Sequence, residues 1–142
     1  MNKVNCILLV DDDPTTNFLN EELIAELDIA NNVHVAWNGQ EALDYLKQEG
    51  KFSTNDKSKY PKPNIIFLDI NMPLMDGFAF LEHYADLPEN KKVDIIILFL
   101  TTSDAQFDRN KATKKVTVHD FLEKPLRKGV LLKIVSDLNL QH

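Results

Sequence analysis

The sequence predicts an α/β fold, a doubly wound, open sheet of five parallel strands with helices on both faces. Two observations carry this expectation. Five short apolar runs alternate along the chain with five helix-forming stretches. The first run, Cys6-Ile-Leu-Leu-Val10, is continuously apolar rather than alternating, as in a strand buried on both faces.

The elements follow in order. After the first run, Asp13-Pro14 supplies an N-cap with proline at the first helical position. Phe18, Leu19, Leu23, Ile24 and Leu27 then recur at helical spacing, as one apolar face. Val33 and Val35 lie on a second strand. Asn38 and Glu41 form a capping box for a helix carrying Ala42, Leu43 and Leu46. From Gly50 to Pro63 the chain turns polar, with Lys51, Lys57, Lys59 and Lys62, and reads as a long solvated loop. Ile65–Leu68 is the third strand. Asp76-Gly77 opens a third helix with Phe78, Leu81 and Ala85 on one face. Val93–Leu100, the most apolar segment, reads as a central strand, and a polar helix is predicted over 104–114. Asp120-Phe121-Leu122 is the last strand. Val130, Leu131, Ile134, Val135 and Leu138 mark a closing amphipathic helix.

At 142 residues, one domain spanning 1–142 is expected, and a hydrophobic share of 44% suffices for a core. A formal charge of −6 argues against nucleic acid as a partner, since phosphate contacts need clustered Lys and Arg. Cys6 alone can form no intrachain disulfide and reads as a small buried hydrophobe. No signal-peptide pattern precedes the first run. The longest purely apolar run, Ile95–Leu100, is too short to cross a membrane. A reduced, cytoplasmic protein with no membrane partner is the expectation.

In open parallel sheets the functional crevice lies beyond the carboxyl ends of the strands. Asp11, Asp12 and Asp13 follow the first strand, Asp69 the third, Thr101, Thr102 and Ser103 the fourth, and Lys124-Pro125 the fifth. Taken singly these are ordinary residues: Asp13 is a helix cap, and a lysine or a hydroxyl after a strand is a surface or turn group. Their convergence on one rim is the informative feature. Several carboxylates crowded together must raise some pKa values or be neutralised, and Mg²⁺ suits a site of few carboxylates, a backbone carbonyl and waters. A carboxylate beside such a metal, an amine and a hydroxyl is equipped for phosphoryl transfer, with Asp69 as the nucleophile.

The stretches "LLVDDDP", "IIFLDINMPLMDG", "IIILFLTTS" and "FLEKPL" together resemble, in order and spacing, the receiver domain of two-component response regulators, from Val4 to Leu138. The resemblance implies a flavodoxin-like sheet of order 2-1-3-4-5. It further implies that Asp69 accepts a phosphoryl group from a histidine kinase or a histidine phosphotransfer protein. It makes Asp12 the direct Mg²⁺ ligand, Asp11 the holder of metal-bound water, and the carbonyl of Asn71 the third protein ligand. Thr101 and Phe121 match the switch pair, Lys124 the lysine of the site, and Pro125 a proline often preceded by a cis peptide. Asn71 and Ser103 stand where the phosphoryl lifetime is tuned. Phosphorylation would draw Thr101 toward Asp69, let Phe121 swing inward, and alter the face made by the fourth helix, fifth strand and fifth helix, where a downstream protein would bind.

Three departures from that pattern stand out. The Gly50–Pro63 segment is longer than usual, "KKVTVHDF" lacks the common small-residue turn, and Phe121 replaces a frequent Tyr. No effector domain is expected after Leu138, so the resemblance implies a stand-alone regulator rather than an enzyme, or a phosphorelay shuttle without a conformational output. The rival reading is a haloacid-dehalogenase-type phosphatase using Asp11, since Asp11-Asp12-Asp13-Pro14-Thr15 also fits the nucleophile motif of that class. It lacks a further acidic metal site and leaves "LDINMPLMDG" unexplained. A pseudo-receiver is disfavoured by the complete acid, hydroxyl and lysine set, and a flavodoxin by three acids where the FMN phosphate would sit.

Overall fold

A computed structural model describes residues 3–102 and 118–141. Its strands are β1 (Val4–Val10), β2 (Ala30–Ala36), β3 (Ile65–Asp69), β4 (Ile96–Thr101) and β5 (Asp120–Glu123). All pair in parallel, in the order β2-β1-β3-β4-β5. This is the flavodoxin-like doubly wound sheet that the alternation and the resemblance predicted. The helices among the described residues are α1 (Pro14–Leu27), α2 (Gly39–Lys47), α3 (Gly77–Ala85) and the closing helix α4 (Lys128–Gln141). The helix predicted over 104–114, and Ser103, lie outside the described residues.

Strand alternation divides the core. Cys6, Leu8, Val10, Ile66, Leu68, Ile97 and Phe99 point to one side and pack with Leu43 and Leu46 of α2 and Phe80 and Tyr84 of α3. Ile7, Leu9, Ile65, Phe67, Leu98 and Leu100 point to the other and meet Ile24 of α1 and Leu131 and Val135 of α4. Both faces of β1 and β3 are therefore covered, which is why these strands read as unbroken apolar runs.

Caps set where the helices begin. The Asp13 carboxylate accepts from Thr15 N, with Pro14 next in line, as the sequence predicts. Asn38 Oδ1 accepts from Glu41 N at 2.9 Å, and the Glu41 carboxylate reaches back to Trp37 N, one residue beyond the cap.

Four sequence expectations are corrected. Phe18 and Leu19 are not core residues: they are 60% and 58% exposed. The sheet-facing side of α1 carries Asn17, Asn20 and Ile24 instead. The buried stripe of α3 is Gly77, Phe80, Leu81 and Tyr84, with Phe78 and Ala85 only partly covered. The 50–63 segment is not simply solvated. It holds a short 3-10 turn, Gly50–Phe52, and the buried Phe52 stacks edge-on with Tyr45 and Tyr60 at 5.0 and 5.2 Å between centroids, while Lys51, Lys57, Lys59 and Lys62 stay exposed. Finally, β4 starts only at Ile96, because a 3-10 turn at Glu89–Lys91 and a left-handed Asp94 precede it; Val93 is exposed.

Gly77 fixes the loop between β3 and α3. Its N–H donates to Ile70 O at 2.8 Å, and a Cβ there would lie 2.6 Å from Phe99 Cε1 and 2.9 Å from Asp69 O. Gly77→Ala is therefore expected to destabilise by about 2–3 kcal/mol, since the clash is with a buried ring and backbone. Urea unfolding measures this; an unchanged midpoint would show that the loop yields freely.

Candidate functional site

The parallel strands deliver their carboxyl ends to one rim. Asp11 continues β1 by one residue, its N–H donating to Ala36 O, and the residue is only 3% exposed. Three contacts fix it. Oδ1 accepts from Asp13 N at 3.0 Å, Oδ2 accepts from Lys124 Nζ at 2.8 Å, and the main-chain carbonyl accepts from the buried Asn17 Nδ2 at 2.9 Å. Asn17 is a positioning residue that the sequence reading missed. A signal was present: Asn17, Asn20 and Ile24 share a helical face, but the more apolar Phe18 and Leu19 drew the stripe away from it.

Asp69 ends β3 and is buried. Its Oδ1 lies 3.2 Å from Lys124 Nζ. Asp12 is exposed and has no hydrogen-bond or ion-pair partner among the described residues. One carboxylate oxygen from each of Asp11, Asp12 and Asp69 lies within 4.8 Å of the others. Lys124, 113 residues from Asp11 along the chain, is brought in by β5, whose Glu123 pairs with Thr101, and its own N–H donates to Thr101 O at 2.7 Å. The Lys124–Pro125 peptide is cis.

Thr101 ends β4 beside this group, its Oγ1 donating to Thr102 O at 3.3 Å rather than to any of the carboxylates. Asn71 is exposed, two residues past Asp69. Phe121 is half-buried and stacked on Phe99, centroids 5.3 Å apart and planes at 28°. Asp13 stays at its cap, hydrogen-bonded to Thr16 and Thr15, which hold its carboxyl below the usual range.

The charges do not balance. Three carboxylates face one ammonium. Burial, and then the charge of Asp11, push Asp69 up to about 6 in spite of Lys124. For Lys124, burial opposes the charged form, but the hydrogen bond and charge of Asp11, followed by Asp69, outweigh it and hold the ammonium above its ordinary value. An acceptor-only cluster with one exposed, unpartnered carboxylate could hold a hard divalent cation.

Residues 7–136 match the family described as the response regulator receiver domain. The chain belongs to that family. Among relatives of this receiver domain, the response regulator Rcp1 of Synechocystis is 28% identical over 137 residues, covering 96% of this chain and 88% of that protein. The structure of a two-component response regulator from Cytophaga hutchinsonii superposes with a TM-score of 0.78 at 24% identity, over 97% of this chain and 98% of that one, a likeness of fold. The Mn²⁺-bound form of Rcp1 superposes with a TM-score of 0.66 at 28% identity, over 95% and 91% of the two chains. No helix among the described residues is long and apolar enough to cross a membrane.

Proposed function

We propose that this receiver domain takes a phosphoryl group from a phosphohistidine onto Asp69, with Asp11 and Asp12 holding Mg²⁺, and passes the signal to a protein partner. The observation that favours Asp69 over Asp11 as nucleophile is how their oxygens are used. Both oxygens of Asp11 already accept hydrogen bonds, from Asp13 N and Lys124 Nζ. Asp69 contributes only Oδ1 to Lys124, so Oδ2 is the oxygen that attacks. As the P–O bond forms, the donor's P–N bond breaks and the departing imidazole takes up a proton. Lys124 lies within reach of both acids and can follow charge onto the phosphoryl oxygens. Asp11, Asp12, Asp69 and the Asn71 carbonyl would hold Mg²⁺, which would supply positive charge to those oxygens; that Rcp1 has a Mn²⁺-bound form supports a divalent ion here.

Exposed apolar side chains flank the rim: Phe18 and Leu19 in the second turn of α1, and Leu74, 98% exposed with φ of 70°, in the loop after β3. We assign these to the docking of a sensor histidine kinase or histidine phosphotransfer protein, because isolated solvated hydrophobes beside a site gain most from being covered. The contacts of Thr101 are compatible with a switch. Its hydroxyl spends its proton on the neighbouring Thr102 carbonyl, a bond it can exchange for a phosphoryl oxygen on Asp69. That movement frees space for Phe121 to shift on Phe99 and changes the face made by β5 and α4, where the downstream partner binds. Asn71 and Ser103 would set the phosphoryl lifetime.

One NMR titration tests both parts. Mg²⁺ is expected to shift Asp11, Asp12, Asp69 and Asn71, and Asp12→Ala to abolish this and the uptake of phosphoryl from acetyl phosphate. Adding beryllofluoride is expected to extend the shifts to Thr101, Phe121 and α4. Full uptake in chelator would remove the metal, and shifts confined to the rim would leave a phosphorelay shuttle with no switch.

A further inference from the structure

At the opposite end of the sheet from Asp69 lies a cavity of about 290 Å³, lined by Tyr45, Leu46, Gln48, Tyr60, Lys62, Asn90 and Lys91. It sits where the 50–63 segment enters β3 and the Glu89–Lys91 turn leads toward β4, so it shares no residue with the carboxylate rim. Its walls are held. Tyr45 is buried and its hydroxyl donates to Pro61 O at 2.8 Å. Tyr60 packs against Tyr45, Phe52 and His34 with centroids 5.8, 5.2 and 5.2 Å away. The long segment that looked like solvated loop is thus ordered by an aromatic cluster, and one side of that cluster is left open.

The charge at this opening runs against the rest of the molecule. The chain has 22 acids against 16 bases, yet no Asp or Glu lines the cavity. Lys62 and Lys91 do, and neither has an ion-pair partner among the described residues, unlike Lys3, Lys47, Lys51, Lys124 and Lys133. The partly exposed Tyr60 ring offers an apolar wall backed by the buried Tyr45 and Leu46, two amides offer hydrogen bonds, and two ammonium groups offer charge. The volume is at the small end of the roughly 300–1,000 Å³ that holds organic ligands.

We infer that this cavity binds a small aromatic carboxylate, its ring against Tyr60 and its carboxylate toward Lys62 and Lys91. Aromatic faces select a planar body, and ammonium groups without competing acids select an anion through charge-assisted hydrogen bonds. The inference stands on the cavity and does not depend on phosphoryl chemistry at Asp69.

The test is a titration of the full chain with 4-hydroxybenzoate, followed through backbone amide shifts, beside its neutral counterpart 4-hydroxybenzamide. Shifts are expected at Leu46, Gln48, Tyr60, Asn90 and Lys91. The amide should bind about tenfold more weakly, as should the double variant Lys62→Gln with Lys91→Gln, the change expected for losing charge-assisted contacts. Both lysines lie away from the rim, so phosphoryl uptake from acetyl phosphate should be unchanged in the variant. Shifts elsewhere or none at all, equal binding of the amide, or a variant that binds like the parent would each overturn the inference.

Discussion

Asp69→Asn is expected to take up no phosphoryl group from acetyl phosphate and, in metal-free buffer near neutral pH, to unfold at a higher temperature than the parent chain. The first effect follows from removing the nucleophile. The second follows from what the carboxylate costs the fold. Burial and the charge of Asp11 raise Asp69 from an ordinary 3.8 to about 6. The folded state therefore holds this proton more tightly than the unfolded one. Stability from this group falls as pH climbs from 3.8 through 6 and stays low above that window. A difference of about two units corresponds to about 3 kcal/mol at most, and the amide's weaker contact with Lys124 reduces the gain to about 1–2 kcal/mol, or roughly 3–6 °C. Calorimetry of both proteins at several pH values measures it. The gain should shrink as pH is lowered through about 6, and saturating Mg²⁺ should narrow it by stabilising the parent alone. A variant less stable than the parent at neutral pH would mean that the Asp69 carboxylate is net stabilising.

Lys124→Met is expected to act in the opposite direction on stability and in the same direction on phosphoryl uptake. Lys124 bridges Asp11 at 2.8 Å and Asp69 at 3.2 Å, and no other cation reaches those acids among the described residues. Its removal leaves two buried carboxylates facing each other, which should cost about 2–4 kcal/mol in chelator. Uptake from acetyl phosphate should fall by about a hundredfold or more, since a positive group aimed at the developing charge is gone. Adding Asp11→Asn should recover part of the stability, with a coupling of about 1–3 kcal/mol in the double-mutant cycle measured by urea unfolding. Strict additivity would show that the bridge to Asp11 contributes little. Because its neighbours hold the Lys124 ammonium above its ordinary value, the stability it confers is complete below 10.5 and is lost only in more alkaline solution.

Much of this was legible in the sequence because the signals were of two robust kinds. Continuous apolar runs such as Cys6–Val10 and Ile65–Leu68 mark strands covered on both faces, and these are the strands at the middle of the sheet. The placement of Asp11, Asp69 and Thr101 was readable because each directly follows or ends an apolar run, with Asp12 and Lys124 each two residues beyond the end of one, and parallel strands send their ends to one rim. What was misread depends on packing rather than on periodicity. Phe18 and Leu19 looked like core, but the face of α1 turned to the sheet must carry Asn17 to hold the Asp11 carbonyl. Phe52 and Tyr60 were hidden among lysines in a segment of low hydrophobicity. The burial of Phe52 and the partial cover of Tyr60 come from Tyr45 and His34, which lie on other elements and are close only in the fold. Phe80 and Tyr84 were passed over because Phe78, Leu81 and Ala85 form an equally periodic stripe on the same helix.

The claim that Asp69 is the phosphoacceptor is tested most directly by its covalent product. The chain is incubated with acetyl phosphate and Mg²⁺, the acyl phosphate is trapped by hydride reduction, and the reduced residue is located by peptide mass spectrometry. Reduction at Asp69 alone is the expected result; reduction at Asp11 would contradict it and place the nucleophile on the first strand, as in the phosphatase reading.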